Sequence, residues 1–136
     1  MIEIVLGGHA YTTRSKLTVF AQLDVARKLG PAFPIVSGLV DKENAGKDKA
    51  ILTVLALSHL PDASSEWIVK TCLNTVFRVQ DGGKLARVTN DAGGLMFDDL
   101  AMTDLLTLTI EVLEDNLGDF FRTALASLKA ADQASI

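Results

Sequence analysis

Two histidines, one cysteine and a pair of adjacent aspartates are the side chains with which this sequence could do chemistry, and each has a plain structural role beside it. His9 follows the glycine pair Gly7-Gly8, and His59 precedes Leu60-Pro61 near the end of a predicted helix. Either could serve as a general base or a metal ligand. Neither has another histidine or a cysteine at ligand spacing, so no metal site is expected. A histidine close to a helix C-terminus is already favoured by the helix dipole. Cys72 falls on an apolar stripe, where it reads as a small hydrophobe rather than a nucleophile. Asp98 and Asp99 could divide acid and base roles, or His9, His59 and Asp98 could converge from distant segments. Adjacent carboxylates just ahead of a helix ordinarily serve its N-terminus, and capping is the expectation here.

Phosphate and calcium chemistry meet the same end. Gly7-Gly8, Gly82-Gly83 and Gly93-Gly94 are three glycine pairs, but none has the spacing of a P-loop or of the dinucleotide fingerprint. The first two read instead as hairpin turns. Asp41, Glu43 and Gly46 fall at calcium-loop offsets. Leu52 stands where the closing glutamate belongs, and Ala45 replaces a further ligand, so the loop from 41 to 48 reads as solvated. No enzyme, metal or cofactor is expected.

Composition narrows the class. The chain has 136 residues and one cysteine, which suits one domain without an internal disulfide. A net charge of −4 argues against nucleic acid as a partner, because phosphate contacts need clustered Lys and Arg. No apolar run is long enough to span a bilayer, and Met1-Ile2-Glu3 lacks the basic start of a signal peptide, so a cytoplasmic protein is expected. Aromatics are only 6% of a chain that is 49% hydrophobic. The apolar excess is therefore mostly aliphatic, and it suggests surface covered by further copies.

The element that must position everything else is the stretch from Thr103 to Leu128. Leu106, Ile110, Leu113, Leu117, Phe120, Phe121, Ala124, Leu125 and Leu128 recur at steps of three and four, the mark of one helix face. Leu106 to Val112 also alternates as a strand would, but the helical phase continues for four more turns. Such a helix is about 39 Å long, whereas the radius of gyration expected of the domain is about 14 Å. It is a spine. Gly118 either sits within it or marks a break, and the unbroken phase favours one helix.

Around the spine the expectation is a mainly α protein with two small β-hairpins (α+β), forming a single helical domain over residues 1–128. The hairpins are placed at 2–13 and 78–89, and a frayed tail at 129–136. Ser15 is expected to cap a helix from Lys16 to Leu29. A short helical piece around Ile35–Val40 follows, then Lys49–Leu60, apolar enough to be buried on most sides, and Ser65–Phe77. Leu95-Met96-Phe97 is an exposed-looking apolar triplet, and with Trp67 it is the candidate partner-binding set. Glu111, Glu114 and Asp115 lie on an acidic face of the spine. They could meet Arg14, Lys16, Arg27 or Lys28 of a neighbouring copy.

The order of these elements resembles that of the phage tail assembly chaperones encoded just before the tape measure protein in long-tailed phages and prophages. The similar features are Tyr11-Thr12-Thr13-Arg14 leading to Phe20, Gln22 and Ala26-Arg27, then Leu57 to Asp62 with Trp67-Ile68 and Cys72-Leu73. Leu95 to Asp98 and Val112-Leu113 with Asn116 to Phe121 complete them. The resemblance implies a non-enzymatic factor of the host-cell cytoplasm, absent from the mature virion. It would bind the tape measure protein, keep it soluble, help recruit the tail tube protein, and form homo-oligomers. The alternative is a tail or neck subunit retained in the particle.

Overall fold

The computed structural model describes residues 2–32 and 48–134. The Ile35–Val40 helix and the 41–48 loop expected from the sequence lie outside them, except for Asp48, which begins a helix.

Strand β1 (Glu3–Leu6) returns as β2 (His9–Thr13) through Gly7 and Gly8. Their φ angles of 57° and 81° are the left-handed pair that a two-residue hairpin turn requires. The second hairpin, β3 (Val76–Val79) and β4 (Leu85–Arg87), does not stand apart. Its β3 pairs antiparallel with β2, Tyr11 opposite Arg78 and Thr13 opposite Val76, giving one sheet in the order β1-β2-β3-β4. Tyr11, Thr13, Val76 and Arg78 are all buried, so the shared face of β2 and β3 is the core side of the sheet.

Helix α1 spans Val19–Leu29, later than the sequence suggests, and its cap is Thr18 rather than Ser15. The Leu17 backbone N–H donates to Asn116 Oδ1 at 2.7 Å, which ties the segment ahead of α1 to the spine. Thr18 Oγ1 then accepts from the Ala21 N–H, satisfying one of the free amides of the first turn. Helices α2 (Asp48–Ser58) and α3 (Asp62–Leu73) meet at Pro61. The expected helix to Phe77 stops at Leu73. Thr75 Oγ1 donates to the Cys72 carbonyl, and the β-branched Val76 and aromatic Phe77 go into the ladder with β2.

The spine is one helix, α4 (Met102–Ala134), unbroken at Gly118. It runs through most of the stretch for which the sequence suggests a frayed tail. It is about 50 Å long, and both α2 and α3 pack against it. Leu106, Leu108, Ile110, Val112, Leu113, Leu117 and Phe121 are buried. The buried Thr109 hydroxyl is satisfied by the Leu105 carbonyl. Phe120 departs from the expected stripe and is 53% exposed. Helix α2 departs too, with Ile51, Val54 and Leu55 exposed on one face.

Candidate functional site

The segment between the sheet and the spine, residues 90–99, is held at both ends, and its middle stands out from the body. At its start Asn90 Oδ1 accepts from the backbone of Ala92 and Gly94, and Gly93 takes a φ of 83°. Thr89 then bridges Leu95, and the Met96 N–H donates to the Val88 carbonyl at 2.8 Å. The far end is fixed by Arg78, which at 6% exposure is the most buried cation among the described residues.

Arg78 projects from the core side of β3. Its Nη2 donates to Asp99 Oδ1 at 2.8 Å and to the Tyr11 hydroxyl at 2.7 Å, while Nη1 reaches Asp99 Oδ2 at 3.3 Å. The guanidinium carbon lies 3.9 Å from the Phe97 ring centroid and 5.3 Å from that of Tyr11. Burying a charge is tolerable only with such partners. The Arg78 hydrogen bond draws the Asp99 carboxyl below the usual range, against a smaller opposing effect of burial. His9 Nε2 adds a contact to Asp99 at 3.1 Å.

These contacts correct the expectation for the aspartates. Asp99 does not cap the spine, because the buried guanidinium takes it. Asp104 does that work, its Oδ2 accepting from the Ala101 N–H. Asp98 is exposed. His9 meets Asp99 rather than Asp98, and His59 is exposed just beyond the end of α2. Cys72 is fully buried, and burial pushes its thiol up to about 12, away from nucleophilic form. Among the described residues no cluster of three or more potential metal ligands occurs.

The apolar triplet is divided between two surface grooves. Leu95 helps to line a groove of about 430 Å³ with Val69 and Leu73 of α3 and Leu105 of α4. Met96 and Phe97 line another, of about 390 Å³, with Ala86 and Arg87 of β4 and the loop at Asn90. Met96 is 57% exposed, Leu95 is exposed as well, and Phe97 is half-buried beneath Arg78. Trp67 lies away from both grooves; it packs on the core, with Lys28 Nζ 4.8 Å from its ring.

The charged residues expected at a subunit contact go to separate places. Glu111, Glu114 and Asp115 are half-buried and line a polar cavity of about 420 Å³ that Lys16 of the same chain also enters. Arg122, and more weakly Lys16, hold the neighbouring Asp119 carboxyl below its usual range. Arg14 stacks on Phe77, and Arg27 reaches Asp24 at 3.6 Å. A further surface was not singled out by sequence periodicity. Val19, Phe20 and Leu23 are exposed on α1, Phe20 at 79%. Equally, nothing in the sequence marks Tyr11, Arg78 and Asp99 as partners, although an arginine inside Val76-Phe77-Arg78-Val79 is a conspicuous break in an apolar run.

A family model described as phage tail assembly chaperone protein, TAC, matches residues 7–128. No curated protein and no solved structure matches the chain.

Proposed function

The chain belongs to the phage tail assembly chaperone family, and from that premise we propose that it binds the tape measure protein and keeps it soluble during tail assembly. The observation that carries this reading is Met96. An exposed, adaptable thioether is presented beside an apolar groove, on a segment whose backbone is already bonded to Val88 and clamped through Arg78. Methionine suits varied apolar partners, and a preset segment binds without the entropic cost of being ordered. The family resemblance implies a long, helical tape measure protein as the client, and helices dock their apolar faces into grooves of this kind.

In this reading the protein acts without catalysis, works in the host cytoplasm beside the tail tube protein, associates with itself, and leaves before the particle is finished. Co-expression with the neighbouring tape measure gene tests it. The wild-type chain should raise the soluble fraction of the tape measure protein, and Met96→Asp should lose that effect while keeping its own helical circular dichroism. A wild-type chain that leaves the client insoluble refutes the reading. Mass spectrometry of purified particles decides against a tail or neck subunit if the chain is absent.

A further inference from the structure

We propose that the groove lined by Leu95 receives helix α1 of a second copy of this chain, so that copies join head to tail. The proposal rests on the reading that the protein associates with itself, and it names the two surfaces that do so. The groove runs along α3 from Asp62 to Leu73, about 17 Å at 1.5 Å per residue, which is three turns of a facing helix. Its floor is Val69, Leu73, Leu95 and Leu105.

The groove wants a helix rather than a strand. The α3 amides are bonded within the helix, with Ser64 and Ser65 closing on the Pro61 carbonyl. On the loop side Gly93 and Gly94 bond to Asn90, and Met96 to Val88. Among the described residues no row of free backbone groups lines the groove to pair an added strand, so an occupant must satisfy its own backbone.

Helix α1 has the matching face. At 3.6 residues per turn Val19, Phe20, Leu23 and Arg27 fall within an arc of about 100°. Val25 and Leu29, which anchor α1 in its own core, lie opposite. That anchoring prevents α1 from reaching the groove of its own chain. The charges also correspond. Asp62 stands at the groove's end with no ion-pair partner among the described residues, whereas Glu66 is held by Lys70 at 2.7 Å. The last turn of α1 carries Arg27 and Lys28, and among the described residues Arg27 has only a 3.6 Å ion pair, to Asp24. Because helix and groove are different surfaces, the contact is heterologous and builds rings or filaments rather than a closed pair.

Cross-linking and sedimentation test it together. The native cysteine is buried, so Phe20→Cys and Leu95→Cys proteins, mixed and oxidised, should give a disulfide-linked dimer. Val5→Cys mixed with Leu95→Cys should not. In sedimentation the wild-type chain should form oligomers, and Phe20→Ser should weaken association by about tenfold or more. Asp62→Lys and Arg27→Glu should each weaken it alone and restore it when mixed. Circular dichroism checks that each variant is folded, as exposed positions allow. A monomeric wild-type chain overturns self-association and this proposal with it. Wild-type oligomers that Phe20→Ser leaves unchanged overturn these surfaces alone. Leu95→Cys cross-linking to co-expressed tape measure protein, and not to Phe20→Cys, gives the groove to the client and likewise overturns the proposal.

Discussion

Phe120 and Phe121 are neighbours on one helix, and truncating each in turn measures how the spine is seated. Phe121 is 1% exposed and belongs to the core cluster, whereas Phe120 is half in solvent. Removing a buried phenylalanine costs about 3–5 kcal/mol, from lost transfer energy and the cavity left behind. Phe120→Ala forfeits mainly the edge-to-face contact with Phe121, whose centroid is 5.5 Å away, worth about 1 kcal/mol. For a chain of 136 residues the unfolding entropy near the melting point is about 0.29 kcal/mol per degree. Phe121→Ala should therefore lower Tm by about 10–17 °C and Phe120→Ala by about 3 °C. Thermal melts followed at 222 nm, at one low protein concentration, read both. Equal shifts, or a larger one for Phe120→Ala, would show the helix rotated from the seating described here.

Two further outcomes follow from the same geometry. Gly118→Ala should raise Tm by about 3 °C, since glycine within a helix costs about 1 kcal/mol. The nearest atoms to a Cβ there belong to the movable end of Arg122, at 3.1 Å, so a fall in Tm would mean that this end is fixed. Asp99 has a depressed carboxyl pKa in the fold, through Arg78 first. Its contribution is therefore full above the unfolded value of about 3.9 and is lost as pH falls through the folded one. Urea midpoints measured from about pH 6 down to pH 2 should drop in acid, and Asp99→Asn should flatten that drop; an identical acid limb would leave the pair without energetic weight.

What could be read from the sequence is what depends on local period and local turn chemistry. The spine was legible because its three-and-four spacing persists past any strand, and that settles Leu106 to Val112 as helix despite their alternation. The Gly7-Gly8 turn was legible because only such residues take its backbone angles cheaply. The seam between the hairpins was not. It pairs Tyr11 with Arg78, 67 residues apart, and no local pattern encodes a register set by packing. The same blindness extended α3 to Phe77, since Val76 and Phe77 fit a helical stripe as well as a strand face until β2 lies beside them.

The surfaces were harder still, because periodicity finds apolar faces without telling which of them the fold leaves uncovered. Phe20 and Phe121 both look like core residues in the sequence; one is 79% exposed and the other 1%. On α1 the buried side is that of Val25 and Leu29, which leaves Phe20 on the opposite face, whereas Phe121 falls on the side of the spine that the core covers. Charge is no plainer a guide to partners. Glu111, Glu114 and Asp115 form the most visible acidic run, yet they share their cavity with Lys16 of the same chain. Of the two carboxylates beside the apolar groove, Glu66 is held by Lys70, and Asp62 is the one that the proposed contact gives to another chain's Arg27. Charge spent within a fold carries little information about partners. The residue to look for is one whose neighbours in the folded chain leave it unanswered.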